Sequence, residues 1–230
     1  MCARFNLQSN PSKLAEIFEL LREPDWRPRY NIAPTQQVLV IRQQADGTRI
    51  AYELRWGLIP RWADDPAIGS KMINARSETL ATKSAFKDAF KKRRCLIPVT
   101  GFYEWQPVTR HSTQPWHIHQ QSGEPFTFAG IWETWKDDAD QTVETCSIVT
   151  TAANPFMAEV HDRMPVILPA AARREWLDPA QQDLQVLQEL LVPYAADSLV
   201  REPVSPLINS PKNDSEACIK PVKLSRGLFD

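Results

Sequence analysis

The sequence predicts an α+β fold: a single domain over residues 1–230 with a largely antiparallel, curved or barrel-like β core flanked by helices. Strand-like segments outnumber helical ones and follow one another as hairpins rather than alternating with helices, the pattern of a mostly antiparallel sheet. With only 7 glycines, the chain also lacks a Rossmann or P-loop glycine pattern, which argues against a doubly wound nucleotide-binding sheet. Its 19 prolines punctuate many rigid loops instead.

The first predicted element is an amphipathic helix in NPSKLAEIFELL. Leu14, Ile17, Phe18 and Leu21 recur at helical spacing, Asn10 stands at the N-cap and Pro11 at the first helical position. QQVLVIRQ and TRIAYELRW are β-rich runs joined through Asp46 and Gly47, which predicts a hairpin. A helix is expected around SAFKDAFKK, where Phe86, Ala89 and Phe90 share a face. Strands follow at RCLIPV, FYEWQ, WHIHQ and FTFAGIWE, the last two joined by QSGEP. VETCSIVTT reads as a strand, NPFMAEV as a short helix, MPVIL as a strand, and AAARREWL and AQQDLQVLQELL as helices. From Pro203 the tail carries Val204, Leu207, Ile208, Ile219 and Val222, enough apolar residues to pack back as ordered extended structure rather than serve as a linker.

Hydrophobic residues at 43% and charged residues at 24% place the chain among ordinary globular proteins. No apolar run approaches the roughly 20 residues of a membrane helix. The start holds one cation, Arg4, and no apolar signal region, so a cytoplasmic location is expected. Cys2, Cys95, Cys146 and Cys218 are widely spaced and form no CxxC pair, so neither a zinc site nor a redox dithiol is signalled; no metal and no cofactor are expected. A formal net charge of −1 argues against a general basic coat for nucleic acid. Lys83, Lys87, Lys91, Lys92, Arg93 and Arg94 nonetheless cluster with one acid, Asp88. They form either a local anion-binding face or a solvated helix end.

Taken singly, the chemical candidates have bland readings. Glu104, in GFYEW, alternates with Tyr103 and Trp105, so an isolated glutamate there would ordinarily be solvated while the aromatics fill the core. His161 beside Asp162 reads as a satisfied loop histidine. Asn74 and Arg76, in NARSET, can bond a turn and pair with Glu78. Cys2 differs, because removal of Met1 would give it a free α-amine two carbons from its thiol, chemistry that no internal cysteine offers.

MCARF, RYNIAPT, WGLIPRW, INARSET, RRCLIPVTGFYEW, FAGIWE, SIVTTAAN and HDRMPVIL occur in an order that resembles the SOS-response-associated peptidase (SRAP) family, whose members crosslink themselves to abasic sites in single-stranded DNA. VSPLINSPKNDSEACIKPV extends the resemblance to Pro221. One departure is Ala3, where the family usually has glycine; a methyl there would crowd Cys2 if the position needed positive φ.

The resemblance implies a reaction whose chemistry suits these residues. An α-amine, with a reference pKa of about 7.7 to 8.0, attacks the open aldehyde of the abasic sugar. The Cys2 thiol then closes a five-membered thiazolidine. By the same analogy Glu104 and His161 move protons, and Asn74 orients the sugar or the amine. Arg4, Arg76 and Arg163 are expected on phosphates, and Trp62, Phe86 and Trp105 against bases, with core packing as the alternative for these aromatics. The implied partner is single-stranded DNA containing abasic sites, met by a monomer at the nucleoid. Removal of Met1 is expected to be autocatalytic or by an aminopeptidase, with strand cleavage as a minor lyase side reaction. The competing expectations are a thiol peptidase using Cys2 as nucleophile and a passive single-strand-binding module.

Overall fold

The computed structural model describes residues 2–137 and 139–224. In chain order its regular elements are β1 (Phe5–Leu7), α1 (Pro11–Phe18), β2 (Arg29–Ile32), β3 (Gln37–Gln43), β4 (Arg49–Trp56), β5 (Asn74–Arg76), α2 (Lys87–Lys92), β6 (Arg94–Val99), β7 (Gly101–Thr109), β8 (Ser112–Gln120), β9 (Phe126–Lys136), β10 (Thr142–Ala152), α3 (Pro155–Ala158), β11 (Arg163–Pro165), α4 (Ala170–Leu177), α5 (Leu184–Glu189) and β12 (Leu199–Pro203), with short 3-10 turns between some of them. The expected removal of Met1 concerns a residue outside the described ones.

The fold is α+β with a closed barrel. Strand order β10-β4-β3-β6-β9 returns to β10, because β9 pairs with β10 as well as with β6. Every pairing in that ring is antiparallel except β4 with β10. A second, antiparallel sheet has the order β12-β8-β7-β1-β2. Aromatic contacts join the two. Phe5 of β1 meets Trp56 of β4 at 5.1 Å between ring centroids, and Phe102 of β7 meets Phe128 of β9 at 5.7 Å.

Local chemistry explains most boundaries. In α1 the Asn10 side chain accepts from the Lys13 N–H at 2.8 Å, Pro11 opens the first turn, and Leu14 and Phe18 are buried. Glu19 takes the left-handed conformation and ends the helix, so Leu21, expected on its apolar face, is instead 65% exposed. In the β3–β4 hairpin Asp46 accepts from the Thr48 N–H and hydroxyl, and Gly47 supplies φ +87°. Helix α2 begins only at Lys87, and α5 begins at Leu184 because Asp183 caps it through the Gln185 N–H.

Up to Leu224 the tail packs back, as its apolar residues suggested, though with 3-10 turns at Pro206–Asn209 and Glu216–Cys218 rather than as extended chain throughout. Val204 bridges Pro221, while Val204, Ile208 and Cys218 are buried in a small core with Tyr103. The sequence reading missed β1, β2, β5 and β12, which are three to five residues long and too short for a two-residue alternation to stand out. Among the described residues no helix is long and apolar enough to cross a membrane.

Candidate functional site

Cys2 lies just before β1, at the edge where β1 pairs with β7. The pairing Phe5↔Phe102 continues with the Tyr103 N–H donating to the Arg4 carbonyl at 2.9 Å, which brings Glu104 beside the start of the chain. The same Arg4 carbonyl faces the Cys2 thiol at 3.8 Å. Cys2 is fully buried, and burial followed by the charge of Glu104 pushes its thiol well above the usual range.

The third member arrives from the barrel. Strand β10 continues beyond the ring and carries β5 in parallel, with Asn74 opposite Ile148. From there the Asn74 side-chain N–H donates to the Cys2 carbonyl at 2.8 Å. On the other side of β10 runs β11, so that Thr150 has Arg76 on one flank and Pro165 on the other.

Glu104 is only 3% exposed, which overturns the solvated reading of an isolated strand glutamate. The alternation itself holds: Phe102 enters the main core and Tyr103 the tail core, with Trp105 against the latter. Burial raises the Glu104 carboxyl to about 7, with the charge of Asp162 adding to the rise. Near neutrality it therefore populates both protonation states, as proton transfer requires.

His161 follows α3, with its backbone N–H bonded to the Met157 carbonyl at 2.8 Å. Its Nδ1 lies 3.0 Å from the Arg163 N–H and 2.9 Å from an Asp162 carboxylate oxygen. Nδ1 cannot accept from the first and donate to the second at once, so the ring has two competing proton positions. Burial lowers its basicity and Asp162 opposes that.

The arginines expected on phosphates have different surroundings. Arg76 is exposed. Arg4 donates to the Asn31 side-chain oxygen at 2.7 Å and the Ile208 carbonyl at 2.6 Å, and lies 5.9 Å from the Trp105 ring centroid. Asn31 in turn donates to the carbonyls of Ile208, Ser210 and Asn213, so the tail holds Arg4. Arg163 forms a bidentate pair with Glu78 at 2.5 and 3.0 Å and donates to the Thr150 carbonyl at 2.9 Å. Glu78 thus pairs with Arg163 rather than with Arg76, the partner expected from sequence proximity.

Among the aromatics, Trp62 is 57% exposed and Trp105 is half-buried, its indole N–H on the Asn209 side chain at 2.8 Å. Phe86, 5% exposed, sits in the main core, where packing describes its position and no face is open to a base. The basic segment also divides. Lys83, Lys87, Lys91 and Lys92 are exposed, but all of Arg94's side-chain N–H bearing nitrogens reach backbone carbonyls of Phe90, Lys91, Trp176, Asp178 and Gln181, and Arg93 binds Glu133. Those two arginines serve the fold.

One group among the described residues has metal-ligand composition: His117, His119 and Glu202, with ligand atoms within 4.8 Å of one another. Its bonding is internal. The Asn6 amide donates to His117 Nε2 at 2.8 Å, the two rings stack 4.8 Å apart, and burial lowers the His117 pKa to about 3. Stacked rings do not converge their lone pairs on one ion. Gly101 belongs to this arrangement, since a Cβ there would stand 2.2 Å from His117 Nε2.

Asn31 and Glu133 are structural partners that sequence reasoning passed over, and Glu78 is one that it gave to Arg76. Asn31 lies in RYNIAPT, Glu78 in INARSET and Glu133 in FAGIWE, but Arg4 is 27 positions from Asn31, Arg163 is 85 from Glu78, and Arg93 and Arg61 are 40 and 72 from Glu133. A pairwise signal of that kind does not appear in a single chain.

The comparisons agree with this architecture. A family model described as SOS response associated peptidase (SRAP) matches residues 1–211. The chain is 44% identical over 223 residues to the abasic site processing protein YoqW of Bacillus subtilis (strain 168), covering 96% of this chain and 99% of that one. It is 33% identical over 236 residues to the abasic site processing protein HMCES of Gallus gallus, covering 90% and 70%. Among solved structures, a Bacteroides thetaiotaomicron protein superposes with a TM-score of 0.85 at 23% identity, covering 96% of this chain and 100% of that one, which is a likeness of fold. A Bordetella bronchiseptica protein gives 0.78 at 27% identity, covering 89% and 100%.

Proposed function

Because the chain belongs to the SOS response associated peptidase (SRAP) family, we propose that it processes abasic sites in single-stranded DNA by crosslinking itself to them through Cys2. Removal of Met1, by the protein itself or by an aminopeptidase, frees the Cys2 amine. That amine adds to the sugar aldehyde and loses water to give an imine. The thiol then adds across the C=N bond, sulfur to carbon and proton to nitrogen, and the thiazolidine closes with no cofactor and no oxidant.

The observation that carries this reading is the convergence on Cys2 of Asn74, bonded to its carbonyl at 2.8 Å, and of Glu104, whose carboxyl titrates at about 7. In the mechanism Asn74 fixes the backbone that bears the amine. Glu104 takes the proton from the attacking amine and returns one to the departing hydroxyl, with His161 serving the sugar oxygen. Arg4, Arg76 and Arg163 act on phosphates, and Trp62 and Trp105 act on bases next to the lesion.

The thiol peptidase reading needs a thiolate, and a thiolate nucleophile belongs in an electropositive, partly exposed setting. Cys2 is fully buried, with its thiol pushed up by burial and by Glu104, a setting that disfavours attack on an external peptide, whereas closure onto an imine of the same residue draws on intramolecular proximity. Lyase cleavage is a side reaction, suppressed because ring closure consumes the imine.

The test is incubation with a single-stranded oligonucleotide carrying one abasic site. A heat-stable adduct is expected from the wild type and none from Cys2→Ala, which should shift products toward strand scission if its terminal amine is freed. Equal adduct from both proteins defeats the reading. Intact mass identifies the residue at the mature terminus.

A further inference from the structure

Trp62 stands 57% exposed in a segment that is otherwise firmly held. Before it, the Gly57 N–H bonds the Cys146 carbonyl at 2.8 Å and the Ile59 N–H bonds the Thr145 hydroxyl at 2.9 Å. Gly57, at φ +130°, lets Gly69 approach so closely that a Cβ would lie 2.6 Å from the Gly69 carbonyl oxygen. After it, the Ala63 carbonyl accepts the Trp135 indole N–H at 2.6 Å.

The remaining anchor is Glu133 of β9, whose side chain is 6% exposed. One carboxylate oxygen accepts from Arg61 Nε and from the Thr134 N–H, both at 2.9 Å; the other accepts from Arg93 at 2.5 Å. Arg61 itself is 63% exposed, so this contact is a tether from a surface loop to a buried carboxylate. Arg61 and Ala63 are thereby fixed on either side of Trp62, to Glu133 and Trp135 of the same strand.

We propose that Glu133 is a positioning residue: through Arg61 it presets the Trp62 ring in the pose that stacks on a base beside the abasic site. The inference rests on the crosslinking reading and adds to it which residue orders the aromatic contact. A ring ordered before binding spares the complex the loss of loop and side-chain freedom, so the tether acts on affinity for the strand.

The experiment uses a single-stranded oligonucleotide with 2-aminopurine next to one abasic site, reading fluorescence quenching on binding and adduct formation on a denaturing gel. Wild type is expected to quench the probe, and Trp62→Ala to lose the quench. Arg61→Gln and Glu133→Gln should lose at least half of it and raise the half-saturating strand concentration about fivefold. Arg61→Lys, which keeps the charge and can still donate to Glu133, should recover part of the quench, a rescue that general loosening of the barrel does not predict. Arg61→Gln, at an exposed side chain, carries the test if Glu133→Gln does not fold. Wild-type quenching in Arg61→Gln alongside normal adduct overturns the positioning role alone. Retained quenching in Trp62→Ala also overturns it, and absence of adduct from the wild type overturns the function on which it stands.

Discussion

Asn74 donates its side-chain N–H to the carbonyl oxygen of Cys2 at 2.8 Å, across 72 positions of sequence, and so ties the barrel's extension to the start of the chain. Losing such a bond costs about 1 to 1.5 kcal/mol, roughly a tenfold rate effect if it aligns the amine. Asn74→Ala is therefore expected to slow adduct formation about tenfold and to lower the melting temperature by only about 2 to 6 °C, leaving the protein folded at the assay temperature. Asn74→Asp should be at least as slow, since a carboxylate cannot donate; a fast Asn74→Asp protein would show that shape, not donation, matters there.

Glu104 gives a pH signature. Its carboxyl, raised by burial to about 7, is mostly protonated below that pH and mostly ionised above it. The crosslinking rate should show an inflection near pH 7 that Glu104→Gln removes, measured as initial adduct rate from pH 5 to 9. Stability carries the same sign: between the ordinary 4.5 and about 7 the folded state binds more protons than the unfolded chain, so Glu104 costs stability increasingly across that window. Relative to wild type, Glu104→Gln should gain in melting temperature as pH rises through that window and then level off.

The Glu78–Arg163 pair occupies the guanidinium that is proposed to meet a phosphate. Contact with Arg163 holds the Glu78 carboxyl below its usual range, so it stays ionised at neutral pH. Glu78→Gln is expected to bind intact single strands several-fold more tightly at low salt, with a salt dependence steeper by up to about one phosphate contact. Fluorescence anisotropy across a salt series reads both quantities, and weaker binding would count against the exchange of carboxylate for phosphate.

Ala3 is the departure from the family that the sequence flagged. The non-glycine residues at positive φ among those described are Glu19, Thr35 and Asp140, so Ala3 needs no glycine-only conformation. Ala3→Gly should leave the adduct rate within about twofold in a side-by-side time course.

The barrel was legible because its strands are long. RCLIPV is β6 to the residue, and the Gln37–Gln43 and Arg49–Trp56 runs pair as the Asp46–Gly47 turn demands. Cys2 stood out by its place beside Met1, whereas the roles of Asn74, Glu104 and His161 came from the family resemblance rather than from periodicity. The burial of Glu104 could not be foreseen, because alternation assigns a residue to a face without saying what covers that face. Here the tail and the start of the chain meet the sheet that bears it, through contacts such as Arg4 with Ile208. Phe86 marks the opposite case: its helical spacing with Ala89 and Phe90 spoke for the core, and the core is where it lies.

Strand β10 closes the barrel and then runs on between β5 and β11, with Thr150 opposite both Arg76 and Pro165. It thereby works as a common ruler. Asn74, Arg76 and Arg163 are all measured from one strand, so a breathing motion of the ring that shifts β10 carries the three together and leaves their mutual spacing intact. Cys2 and Glu104 are measured from the other sheet. The spacing most sensitive to strain is consequently the gap between the two rulers, which the Asn74–Cys2 bond spans.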